Sequence, residues 1–295
     1  MTGRTVRYVM TAIVFASWIG VLAWPVQSQD RPEDLTQTRH WSGETVQPVY
    51  DGFDENEDGT FNMWFGYMNR NYREELDIPV GAGNSFAPGP ADRGQPTHFV
   101  PRRNKDIFKV VVPKEFQGTL TWTLVSHGKT LSVAGKLNQV FMVDRKFTTR
   151  GGNDTRITSN TPPVVSITPR DATTTVGAPV VFQVSAKDDG LPGKRGVYAL
   201  HGEPIGLTLE WTKFRGPGMV AFTPGENIQG RWTTKLADGK AEGTAQTALT
   251  FSEPGDYVLQ AVVDDGSRGN YSYHCCWTNT EVKVTVKGPS NTAQR

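Results

Sequence analysis

The sequence predicts an all-β protein: two β-sandwich domains in tandem behind an export signal. Three observations lead there. Apolar residues recur with a period of two in many short runs, which is the mark of strands with one buried face. The 31 Gly and 19 Pro lie between those runs, where chains with many turns need them. The 295 residues, 37% hydrophobic and 10% aromatic, are enough for two domains with real cores.

The first segment reads as an address. Arg4 and Arg7 precede an apolar stretch from Tyr8 to Trp24, followed by Pro25 and Val26-Gln27-Ser28. Val26 and Ser28 suit the −3 and −1 positions of a signal peptidase site, so residues 1–28 are expected to be a signal peptide cleaved after Ser28. The alternative is an uncleaved anchor, because the stretch approaches the roughly 20 residues that span a bilayer. Either way, the chain beyond Asp30 is expected outside the cytoplasm. A polar leader occupies residues 29–45.

The first domain is expected over residues 46–144. It opens with a hairpin: Val49-Tyr50 lead in, Asp58-Gly59 turn, and Phe61 to Tyr67 lead out. The Gly-, Pro- and Asn-rich segment from Asn69 to Pro101 reads as long loops, and Arg102, Arg103 and Lys105 as a solvated basic run. Strands resume with Phe108, Val110 and Val112 on one face. Leu120, Trp122 and Leu124 follow, then Leu131, Val133 and Leu137. Residues 145–163, with Gly151-Gly152 and Pro162-Pro163, form a linker short enough that the two domains should touch.

The second domain is expected over residues 164–287, with a disordered tail at 288–295. Its inward faces are Val180, Phe182, Val184 and Ala186; Leu207, Leu209 and Trp211; Thr247, Leu249 and Phe251; Tyr257, Leu259, Ala261 and Val263; and Val282, Val284 and Val286. This order of short strands, with Trp211 early, resembles the immunoglobulin-like superfamily. Pro254-Gly255-Asp256-Tyr257-Val258-Leu259 looks like its tyrosine corner. The opening Pro163 to Ile167 and the Asp-Asp-Gly strand ends resemble bacterial immunoglobulin-like and polycystic-kidney-disease-like modules. The resemblance implies a fold rather than an activity. Val184 and Leu259 stand where antibody domains carry their intersheet cysteines, so this core must hold by apolar packing.

In such a sandwich the ends of the second and sixth strands emerge at one pole. There the sequence has Asp188, Asp189, Asp264 and Asp265. Four gathered carboxylates would suit Ca²⁺ as a cofactor, since calcium takes six to eight oxygens. Alternatively the Asp-Gly pairs simply turn the chain. The same pole carries Tyr271, Tyr273, His274 and Trp277 on one loop and Tyr198 and His201 on another. Aromatics on loops give large contact area, and these six residues are the candidate ligand-binding set; Trp277 could equally plug the core. Cys275 and Cys276 are the only cysteines. They can close a vicinal disulfide in an oxidising compartment, remain thiols, or, with His274 and His201, hold copper or zinc.

Other motifs fail on context. Asp54 to Gly59 matches half an EF-hand loop but puts Phe65 where the bidentate Glu belongs. Gly128-Lys129-Thr130 lacks the earlier Gly of a phosphate loop. There is no Gly-x-Ser-x-Gly or His-Glu-x-x-His, and no histidine sits in a catalytic spacing. Asn69 to Glu75, beside the aromatic hairpin, is a second candidate surface that reads first as a solvated loop. A net charge of +1 gives no long-range attraction to nucleic acid or anionic membrane. The expectation is an exported, non-catalytic module that binds a protein or glycan of the envelope, touching membrane only through its N-terminal segment. A structural spacer is the competing class, and a secreted hydrolase the third.

Overall fold

The hairpin around Asp58-Gly59 opens the folded chain. The computed structural model describes residues 39–143, 159–191, 207–237, 241–266 and 276–288. The segment expected as a signal peptide, most of the expected leader and linker, and the tail after Gly288 lie outside the described residues. Among the described residues, no helix is long and apolar enough to cross a membrane. All the described strands belong to one compact unit, His40–Arg295.

Strand β1 (Val46–Glu55) pairs antiparallel with β2 (Phe61–Asn69). Gly59 takes φ +80° between them, a conformation that would strain a side chain. Strand β6 (Arg102–Val112) completes a sheet in the order β1-β2-β6. A second sheet is β4 (Asn84–Ala87), β7 (Leu120–Ser126) and β8 (Lys129–Gly135) in that order. Two short strands, β3 (Leu76–Asp77) and β5 (His98–Phe99), pair between them in sequence. The segment expected as loops therefore holds three short strands. The basic run belongs to β6, with Arg103 paired to the buried Asp51 rather than solvated.

The two larger sheets close on an aromatic core. Trp122 is fully buried, stacked on Phe86 at 5.7 Å and meeting Phe108 edge-on at 5.1 Å. Its indole donates to Asn84 Oδ1 at 2.9 Å, and Asn84 Nδ2 donates to the carbonyls of Ile78 and Pro96. One buried amide thus satisfies both the core ring and the irregular segment around it.

The second sandwich has β9 (Val164–Thr168), β11 (Val180–Lys187), β13 (Val220–Thr223) and β16 (Glu242–Phe251) in one sheet, ordered β13-β16-β11-β9. The other contains β10 (Asp171–Thr175), β12 (Leu207–Arg215), β14 (Glu226–Ile228), β15 (Arg231–Ala237), β17 (Gly255–Asp264) and β18 (Trp277–Lys287). Their order is β10-β18-β17-β12-β15-β14, with β10 parallel to β18. After β12 the chain crosses to the opposite sheet as β13, beside β16, and then returns as β14 and β15, with β15 pairing on β12. Tyr257 Oη donates to the Glu253 carbonyl at 2.8 Å, closing a tyrosine corner at the start of β17. Val184 and Leu259 are fully buried in the core.

The sandwiches share a boundary that alternation does not reveal. Leu259, Ala261 and Val263 of β17 face their own core, but Gln260 and Val262 on the opposite parity are just as buried. Gln260, 2% exposed, donates to the Ile107 carbonyl at 2.9 Å. Phe214, beside a register shift in β12, belongs to the core of the first sandwich. Arg215 forks onto both oxygens of Asp92 at 2.9 and 2.7 Å. Arg231 reaches the Pro101 carbonyl and Asn104 Oδ1. Apolar insertion and polar fastening together make a stiff joint.

Candidate functional site

The pole singled out in the sequence is only partly described. Tyr198, His201, Tyr271, Tyr273, His274 and Cys275 lie outside the described residues. Trp277 starts β18, pairs across the ladder with Asp264, and is 7% exposed. Cys276 is fully buried and disulfide-bonded.

The four aspartates are described, and three of them accept from the backbone amide two residues on. Asp188 Oδ2 accepts from the Gly190 amide at 2.8 Å and Asp264 Oδ1 from the Gly266 amide at 2.6 Å. Asp189 takes the Leu191 amide at 2.9 Å and both the amide and hydroxyl of Thr161, at 2.8 and 2.7 Å. Asp265 Oδ2 accepts from Asn160 Nδ2 at 2.8 Å. Short Asp side chains bonding two residues onward are turn devices. Burial, then the charges of Asp265 and Asp189, push the Asp188 pKa up to about 6. Among the described residues no group of three or more His, Cys, Asp or Glu is placed to hold a metal ion.

A second site lies where the sandwiches meet. Strand β3 aligns Asp77 with His98 of β5 across the ladder, and period two puts Glu75 on the same side as Asp77. The His98 ring lies between them: Nδ1 is 2.8 Å from Asp77 Oδ1, and Nε2 is 2.9 Å from Glu75 Oε2. From the other sandwich, Lys213 Nζ reaches Asp77 Oδ1 at 3.1 Å and the Gly218 carbonyl at 2.6 Å. A chain of alternating charge therefore crosses the joint.

This group borders a cleft of about 910 Å³. The floor is apolar, with Val220, Phe251 and Trp232, and Met219 stands at its edge, 76% exposed. Gly230, at φ +80°, brings the β14–β15 turn against Glu75 and Val100, where a Cβ would clash at 2.8 and 2.7 Å.

Electrostatics fix the protonation of the wall. Burial opposes charge on His98, but hydrogen bonds to Asp77 and Glu75 outweigh it and hold its pKa above the ordinary value. Burial also raises Asp77, yet the His98 hydrogen bond and charge, then Lys213, prevail and keep it low. A neutral imidazole donates from one nitrogen only, so the cation alone satisfies both carboxylates. The charged ring's contribution to stability is complete below its unfolded pKa and fades as pH rises through the higher folded value. The stability gap between the native protein and His98→Gln should thus be widest near pH 6, about 2 kcal/mol, and shrink in alkali. Parallel urea titrations across that range measure it; a gap independent of pH would refute the charged form.

The sequence passed over this site. Asn69 to Glu75 was named as a surface, but His98 is 21 positions from Asp77 and Lys213 another 115 beyond, with no motif joining them. The one local signal was Glu75-x-Asp77, two carboxylates on one strand parity.

The comparisons with known proteins fall here. No protein-family model matches the chain, and no curated protein does. Among solved structures, a conjugative transposon lipoprotein from Bacteroides eggerthii is 16% identical, covering 42% of this chain and 96% of its own, at TM-score 0.28. A CARDB domain from Pyrococcus furiosus, solved with di-metal ions, is 18% identical over 42% of this chain and 91% of its own, at TM-score 0.25. Domains 4 and 5 of the S-layer protein SbsC are 11% identical over 82% and 98%, at TM-score 0.24. Likenesses of this extent assign no activity or ligand to the chain.

Proposed function

We propose that the protein is a non-catalytic binding module that works outside the cytoplasm, presenting a rigid pair of β-sandwiches to a protein or glycan of the cell envelope. The observation that carries the reading is the joint: one sandwich puts Phe214 into the core of the other and leaves a cleft at the seam. Ligand pockets favour such boundaries because two rigid bodies hold their walls in place. His98, the histidine on that wall, has both ring nitrogens engaged by carboxylates and so none left to exchange a proton with a substrate. Export is supported by Arg4, Arg7 and the apolar stretch to Trp24, and by the bonded sulfur of Cys276, which suits an oxidising compartment. Of the three states the sequence allows for the cysteine pair, the bonded sulfur supports the vicinal disulfide.

Fractionation of cells producing the full chain, with intact mass before and after alkylation, tests the reading. The expected result is protein outside the cytoplasm that takes up no alkylating agent until reduced. Cytoplasmic protein with two reactive thiols would overturn it. The stiff joint also favours a second reading, a spacer that sets the distance between neighbours in an assembly.

A further inference from the structure

We propose that the cleft between the sandwiches is a carbohydrate-binding site, taking a neutral, hydroxyl-rich oligosaccharide against Trp232. The proposal rests on the reading of the protein as a binding module, and it adds the place and the ligand class.

The shape comes first. A cleft of about 910 Å³ lies within the roughly 300–1,000 Å³ typical of small-molecule sites, and it is formed by both sandwiches rather than by one loop. Its aromatic element is Trp232 on β15, half-buried and packed on Phe222 with ring centroids 4.7 Å apart. A backed indole is a rigid platform, and sugar rings present an apolar C–H face that stacks on such a surface at little entropic cost.

Hydroxyl recognition comes from the opposite wall. Asp77 and Glu75 are held at one edge by His98, while their side chains keep 56% and 35% exposure. Glu75, bound to His98 through Oε2, keeps its other oxygen as an acceptor for a hydroxyl, while the exposed Asp77, already bonded to His98 and Lys213, adds further lone pairs. Ser252, Thr250 and Asn227 add neutral hydroxyl and amide groups on the far rim.

Charge balance selects against ions. Glu75, Asp77 and Glu253 supply three negative charges, and Arg73, Lys213 and protonated His98 supply three positive ones. The Lys213 ammonium is already taken by Asp77 and the Gly218 carbonyl, and the Arg73 guanidinium lies 4.4 Å from the Trp41 ring centroid. Neither an anionic nor a cationic ligand finds a surplus of opposite charge, whereas a neutral polyol meets donors and acceptors in balance.

Calorimetric and tryptophan-fluorescence titration of the purified full chain with neutral tetrasaccharides of glucose, mannose and N-acetylglucosamine tests the proposal. At least one should saturate and shift the tryptophan emission. Trp232→Ala should weaken that binding at least about tenfold. Because Trp232 also packs on Phe222, Met219→Arg serves as the second variant: Met219 is largely exposed, so the melting temperature should hold while binding falls. Saturation by no neutral probe overturns the ligand class, as does binding only of a charged sugar or a peptide. Undiminished binding in both variants overturns the location. Each of these failures leaves the cell fractionation and alkylation results untouched, so the site can fail while the exported module stands.

Discussion

Phe214→Ala is expected to destabilise the protein by about 3–5 kcal/mol, the range for deleting a fully buried Phe. The residue is 3% exposed and is carried on β12, yet it lines the aromatic core of the other sandwich. The loss should therefore appear as weaker coupling as well as a lower midpoint. In chemical denaturation the native chain should unfold in one transition, and the variant should separate into two. The Arg215 fork cannot substitute: Asp92, which receives it, is 51% exposed, and exposed pairs contribute about 0–1 kcal/mol. A cost below about 1 kcal/mol with a single transition would mean that the joint does not hold the two bodies together, and the seam would lose its claim to be a preformed site.

Trp122→Ala should cost about 4 kcal/mol, and Trp122→Phe about 1–3 kcal/mol, for separable reasons. The alanine opens a cavity among Phe65, Phe86 and Phe108, whose rings all contact the indole. The phenylalanine fills much of that volume but removes the donor to Asn84 Oδ1, leaving a fully buried acceptor unsatisfied. Asn84 also fixes the Ile78 and Pro96 carbonyls, so the disturbance should reach the segment that carries Asp77 and His98. Equilibrium urea unfolding gives both numbers. Equal costs for the two variants would mean that the hydrogen bond contributes little and volume decides.

Much of the architecture was legible residue by residue. Period two marked Phe182, Val184 and Ala186, then Leu259, Ala261 and Val263, as inward faces, and all are buried. Asp58-Gly59 announced its hairpin, because few residues other than glycine accept that φ. Tyr257 and its upstream carbonyl could be read as a corner because that bond is local in sequence. Strands β13, β14 and β15 were missed; β14 is three exposed residues, and the four of β13 are too few to register an alternation although Val220 and Phe222 point inward.

The acidic pole illustrates the opposite limit. The sequence correctly signalled four aspartates at strand ends, but not whether they would converge on an ion or turn the chain, and the hydrogen bonds show each bound to nearby backbone or to Asn160 and Thr161. Gln260 and Phe214 make the same point at the joint. Nothing local distinguishes an outward residue that meets water from one that meets another sandwich.

What the sequence determined by itself is therefore the class: strands, turns, an inward face for each main strand, and an all-β sandwich architecture. Those follow from interactions within a few residues or from the alternation along one strand, and both are written in linear order. Only the tertiary structure decided the seam, the His98 relay with Glu75, Asp77 and Lys213, and the cleft beside Trp232. These depend on pairing residues as far apart as Ile107 and Gln260, 153 positions in sequence, through the packing of two separately patterned bodies. That packing is chosen by the fit of whole surfaces, and no single stretch of chain encodes it.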